Sequence, residues 1–86
     1  MEASWSLGDR MLYLTSPNFR GDDVTQLQSL LSRLGFDCGR VDGIFGPLLA
    51  HAIGEFQKNA GLSIDGICST DTVTALERLS SQTGEG

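Results

Sequence analysis

The chain has 86 residues, 40% of them hydrophobic and 20% charged, with two cysteines and a formal net charge of -5. A chain of this size hides roughly 60% of its unfolded surface, which is enough for one small domain with a thin core and too little for a two-domain enzyme. Eleven acidic against six basic residues argue against nucleic acid or an anionic membrane surface as the main partner, and apolar runs of only a few residues, such as Leu48-Leu49-Ala50, are too short to span a bilayer.

In chain order, Met1-Glu2-Ala3-Ser4-Trp5 has neither a basic flank nor an apolar stretch and does not read as a signal peptide. Residues 1–19 read as an N-terminal arm. Within it, Met11-Leu12-Tyr13-Leu14 is a short extended segment, ended by Ser16-Pro17-Asn18. Its apolar residues, with Trp5 and Phe19, are expected to lie across a helical core, because so much aromatic surface is unfavourable in water.

Residues 20–79 carry three helical periods. In the first, Val24, Leu27, Leu31 and Leu34 step by three and four, with Leu30 widening the stripe. Asp22 or Asp23 is expected to cap its first turn, and Gly35 to end it in a left-handed conformation. The second begins at Gly46-Pro47, where proline loses nothing at a first helical position, and buries Leu49, Ala52, Ile53 and Phe56 before Gly61 closes it. The third starts near Ser69 and buries Val73, Leu76 and Leu79. Residues 80–86, small, polar and Gly-rich, are expected to form a disordered tail. The expected fold class is all-α: a small three-helix bundle with a short extended N-terminal arm.

The most informative feature is an internal repeat. Val41-Asp42-Gly43-Ile44-Phe45-Gly46 precedes the second helix, and Ile64-Asp65-Gly66-Ile67-Cys68-Ser69 precedes the third. A shift of 23 residues also superposes Leu49 on Thr72, Ala52 on Ala75 and Ile53 on Leu76. Each copy reads as a tight turn: glycine supplies a positive φ, aspartate accepts from nearby backbone amides, and the flanking Val or Ile anchors the loop. Two copies are too few for a solenoid.

These residues carry a family resemblance. Val24-x-x-Leu27-Gln28-x-x-Leu31, Leu34-Gly35, Asp42-Gly43-x-Phe45-Gly46, Ala52-x-x-x-Phe56-Gln57, Gly61-Leu62 and Asp65-Gly66, in this order, resemble the peptidoglycan-binding domain 1 family from about Arg20 to Leu79. The lead-in from Gly8 to Val24 is similar to that of modules attached to actinobacterial N-acetylmuramoyl-L-alanine amidases. The resemblance implies a three-helix, non-catalytic module that docks a wall hydrolase onto peptidoglycan. The chain departs from the family's pattern at Leu49, Ser69 and Val73, where Thr, Gly and often Trp are usual. Ser69 keeps a helix cap, whereas Leu49 gives up a loop-closing hydroxyl and Val73 an aromatic surface.

No catalytic set emerges. Asp42 and Asp65 have the residue type of a glycosidase pair, but their identical turn settings read as structural. The positions after Asp37 fail the calcium-loop pattern, and Cys38, Cys68 and His51 are too scattered for zinc. No metal or cofactor is expected. Cys38 and Cys68 each lie near one of the repeated turns, so a disulfide remains open beside the default of two buried free thiols. His51, the sole histidine, lacks the partners that nucleophilic catalysis needs and is expected on a groove-facing or solvent side.

The candidate ligand-binding residues are therefore Arg40, Asp42, Phe45, Leu48, His51 and Asp65. The start of helices two and three would favour a carboxylate of a peptidoglycan stem peptide, with Arg40 as a charged donor. Phe45 and Leu48 would cover a sugar or alanyl face, with a core-anchor role for Phe45 kept beside that one. The expected partner is peptidoglycan, through glycan or stem peptide, bound by a monomer tethered to another domain. Wall binding implies a cell-wall or extracellular location through the parent protein, and free cysteines keep a cytoplasmic one open. The alternative function is a protein-interaction or regulatory module of the same fold in wall metabolism.

Overall fold

A computed structural model of the protein describes residues 6–83, so Trp5 and the end of the expected tail lie outside the described residues. The elements are α1 (Asp22–Arg33), α2 (Pro47–Ala60) and α3 (Thr70–Thr83). The apolar stripe of each helix faces one core, in which Val24, Leu27, Leu31, Leu49, Ala52, Ile53, Phe56 and Leu76 are all essentially inaccessible. α1 packs against both other helices. Phe36, just beyond α1, sets its ring edge-on to Phe56 at 5.6 Å, a geometry favoured by the ring quadrupoles.

The helix ends follow from local chemistry. At the close of α1, the Phe36 N–H donates to the Leu31 carbonyl at 2.8 Å and the Gly35 N–H to that of Ser32 at 3.1 Å. α2 closes with the same pair of bonds, Leu62 to Gln57 at 2.9 Å and Gly61 to Lys58 at 3.4 Å. This motif needs a left-handed residue at the exit, and Gly35 and Gly61 adopt φ of 95° and 76°. Pro47 opens α2 directly after Gly46, as expected.

Two expectations are corrected, the first in part. The cap position of α1 is Gly21 and both aspartates lie inside the helix, yet Asp23 Oδ1 does accept from a first-turn amide, the Val24 N–H at 2.9 Å. Asp23 is completely buried and also pairs with Arg10, whose Nε lies 2.8 Å from Oδ2, because a buried carboxylate needs a charged partner. The expected disordered tail at 80–86 starts too early, because α3 runs on to Thr83. Ser80 falls one helical turn after Leu76 on the buried side and accepts a hydrogen bond from Arg33 Nη1 at 3.1 Å.

The N-terminal arm is part of this core. Of the four apolar residues Met11-Leu12-Tyr13-Leu14 expected to lie across the core, only Leu12 is buried, while Met11, Tyr13 and Leu14 stay exposed. Leu12 makes an antiparallel bridge to Cys68, and Arg20 one to Ile44. The Leu12 carbonyl accepts from the Cys68 N–H at 2.7 Å, and the Phe19 carbonyl from the Phe45 N–H at 2.9 Å. Phe45 and Cys68 are equivalent positions of the repeat, so the arm ties down both turns at the same point.

Candidate ligand-binding site: two equivalent clefts

Each repeat builds a cleft around a buried glutamine. In α1, Leu27 is followed by Gln28; in α2, Phe56 is followed by Gln57, and both amides are almost completely buried. Gln28 Oε1 accepts from the Gly43 N–H at 2.9 Å, while its Nε2 donates to Asp42 Oδ1 at 3.1 Å and to the Ile44 carbonyl at 3.2 Å. Gln57 repeats the pattern: its Oε1 accepts from the amides of Asp65 and Gly66, and its Nε2 donates to Asp65 Oδ1, the Ile67 carbonyl and Thr72 Oγ1. A side-chain amide thus reads out each turn from inside the core, which satisfies buried groups on both sides.

The aspartates close the turns from outside. Asp42 Oδ1 accepts from the Ile44 N–H at 3.0 Å, and Asp65 Oδ1 from the Ile67 N–H at 2.9 Å. Those amide bonds, then the glutamine side chains, hold both carboxyls below their ordinary 3.8. A general acid needs a carboxyl pushed upward. Asp42 and Asp65 are pushed the other way and spend their acceptor oxygens on the turns.

The first cleft, of about 290 Å³, is lined by Gln28, Cys38, Arg40, Asp42, Leu48 and Leu49 among others. The second, of about 150 Å³, is lined by Gln57, Ser63, Asp65, Ser69, Asp71 and Thr72 among others. The 23-residue shift carries Arg40 onto Ser63, Asp42 onto Asp65, Leu48 onto Asp71 and Leu49 onto Thr72. The repeat therefore duplicates a cleft as well as a turn.

The structure brings three of the six candidate residues together, Arg40, Asp42 and Leu48, in the first cleft. Asp65 lies in the second. His51 is exposed and lines a separate cleft of about 280 Å³ with Phe36, Asp37 and Glu55. Phe45 is corrected: it is completely buried and offers no surface to a ligand, because the chain re-enters the core at that point and its amide is tied to the arm. Gln28, Gln57 and Thr72 were missed as working residues. Their signal is the apolar–Gln pair in each helix, masked because Gln28 and Asp42 are 14 positions apart whereas Gln57 and Asp65 are 8.

A larger cleft of about 470 Å³ lies between α1 and α3, beside Leu30, Arg33 and Glu77. It contains none of the motif residues, so its size alone does not make it the site. Cys38 and Cys68 are free and buried, with the Cys68 thiol pushed up to about 12, first by burial and then by the charge of Asp23. Among the described residues, no group of three His, Cys, Asp or Glu side chains could hold a metal ion, and no helix is long and apolar enough to cross a membrane.

Comparison with known proteins bears on the family and the fold. The chain is 45% identical, over 99% of its length, to the N-acetylmuramoyl-L-alanine amidase CwlM of Mycobacterium tuberculosis, and covers 21% of that protein. It is 37% identical over 91% of its length to the amidase CwlL of Bacillus licheniformis, of which it covers 23%. The chain thus spans about a fifth of these relatives. A crystal structure of the SleB N-terminal domain matches with a TM-score of 0.81 and 32% identity, over 88% of this chain and 100% of that one. A peptidoglycan-binding protein from Clostridioides difficile, solved with glutamine hydroxamate, matches at TM-score 0.76 and 35% identity, over 86% of this chain and 44% of its own. Residues 20–76 match the family described as "Putative peptidoglycan binding domain", and with the two turns, their glutamine clamps and the three-helix core in place, the chain belongs to this peptidoglycan-binding domain family.

Proposed function

We propose that this chain is a non-catalytic module that holds a larger wall hydrolase, an N-acetylmuramoyl-L-alanine amidase, on peptidoglycan. The observation that carries the reading is the family match over residues 20–76 in a chain that accounts for only a fifth of its amidase relatives. The ligand face is the first cleft. Arg40 stands at its edge and makes no ion pair among the described residues. α2 starts there without a side-chain cap, so its first-turn amides and positive end favour a carboxylate. Leu48, 59% exposed, offers apolar cover for an alanyl or sugar face. The module acts as a tethered monomer in the cell wall or outside the cell, wherever its parent is delivered.

Titration of labelled protein with soluble muropeptides, alongside co-sedimentation with purified sacculi, tests the proposal. Retention on sacculi, with shifts at residues 40–49, is the expected result. A folded protein that ignores sacculi at all salt concentrations sinks it. One observation favours a second reading, a protein-interaction module in wall metabolism: Leu49, buried in the first repeat, stands where the second repeat has Thr72. Specific retention of one protein partner without sacculus binding would favour that reading.

A further inference from the structure

We infer that the two equivalent clefts have diverged in role: the first recognises a carboxylate-bearing stem peptide, and the second serves only to close the fold. The inference rests on the docking function and ligand face proposed above and adds that the second, equivalent cleft has given up that role.

Three differences between the copies carry it. The first is charge. Arg40 lines the first cleft where Ser63 lines the second, and Leu48 stands where the second has Asp71. In the first cleft Arg40 offsets the charge of Asp42, whereas the second carries Asp65 and Asp71 with no cation in its lining, so a ligand carboxylate is disfavoured by the second cleft and not by the first.

The second difference is what meets the helix start. Asp71 lies in the first turn of α3, whereas α2 has no acidic residue in its first turn. In the second repeat the chain supplies its own carboxylate at the positive end of the helix. In the first repeat a ligand carboxylate takes that role, assisted by Arg40. The third difference is room. The second cleft holds about 150 Å³ against about 290 Å³, and the Thr72 hydroxyl in it is already bonded to Gln57 at 3.1 Å. Leu49, its counterpart, brings no polar group to the first cleft.

The test uses the whole 86-residue chain, isotopically labelled, and a synthetic L-alanyl-γ-D-glutamyl-diaminopimelate peptide with free carboxylates. The same peptide with carboxamides in their place is the comparison. Expected are shifts at residues 40–49 without shifts at 63–72, and binding weakened about three- to tenfold by the carboxamides or by Arg40→Ser. Asp71→Asn, which alters only the second cleft, is expected to leave affinity unchanged. The amide spectrum of each variant serves as its folding control. Shifts centred on 63–72, equal affinity for both peptides, or unchanged affinity in a folded Arg40→Ser variant would each overturn the inference. Sacculus binding measured in parallel separates the two levels. If sacculi bind while the free peptide does not, the carboxylate reading falls and docking stands; if neither binds, both fall.

Discussion

Gln28 and Gln57 show how much of this molecule rests on single side chains. Each is a polar amide placed where an apolar residue would satisfy the helical period, and each is tolerated because nearly all of its hydrogen-bonding capacity is used. Gln57 makes five such bonds, to Asp65, Gly66, Ile67 and Thr72, and Gln28 makes three. Replacement by leucine leaves turn amides and carbonyls unpaired at the core edge. Gln57→Leu is expected to cost about 3 kcal/mol and Gln28→Leu about 2 kcal/mol, as read by urea unfolding. Equal losses would mean that the two further bonds of Gln57, with the Asp65 N–H and with Thr72 Oγ1, contribute nothing. Asp42 and Asp65 add a pH dependence. Folding lowers both carboxyls below their ordinary 3.8, so their stabilisation is complete above that value and disappears as the pH falls through the lowered folded values. An Asp42→Asn/Asp65→Asn double variant should melt below the wild type at neutral pH and converge with it in acid. A gap that stays constant across the titration would contradict the turn-anchoring role.

At the level of the elements, α1 and α2 are two versions of one unit: helix, buried glutamine, glycine exit and Asp-Gly turn. The 3.6-residue periodicity made the helices legible, and Pro47 and the exit glycines marked their ends. The exits place Gly35 and Gly61 at positive φ with nothing within 4 Å of an added Cβ. Gly61→Ala is therefore a test of backbone conformation alone. It should cost about 1–2 kcal/mol by thermal or urea unfolding, with the core undisturbed. Asp23 was half legible: its bond to the first-turn amide of Val24 follows from the local pattern, whereas its pairing with Arg10 exists only because the fold brings the two together. The end of α3 was misjudged for a related reason. Ser80 looks like tail composition, but the fold buries it beside Arg33, which donates to its hydroxyl.

For the molecule as a whole, the arm is the part that makes the repeats one body. Leu12 fills the core, Arg10 neutralises Asp23 and stacks 4.8 Å over the Phe19 ring, and arm carbonyls take the amides of Phe45 and Cys68. The family match begins at residue 20, yet that boundary cuts through these bonds. A fragment starting at residue 20 is expected to lose cooperative melting and amide dispersion; a stable fold for it would assign the arm a peripheral role. Within the intact chain, Arg10→Ala strands the completely buried Asp23. Because the Arg10 side chain is 20% exposed, the expected loss is about 2–3 kcal/mol, below that of a fully buried pair. Asp23→Asn, which removes the stranded charge, should restore part of the stability of Arg10→Ala.

The sequence by itself determined the helices, the duplicated Asp-Gly turn and the family, because periodicity, glycine placement and turn chemistry act between residues close along the chain. It also marked Arg40, Asp42 and Leu48, all near the first turn. Tertiary structure alone decided which groups meet across longer separations. It joined Gln28 to Asp42 and Gln57 to Asp65, buried Phe45, sent His51 to a different cleft from Arg40, and closed the arm over both turns. Burial is a property of the assembled core, and a buried polar group must find its partner wherever the fold puts one. That partner has no fixed spacing in the chain.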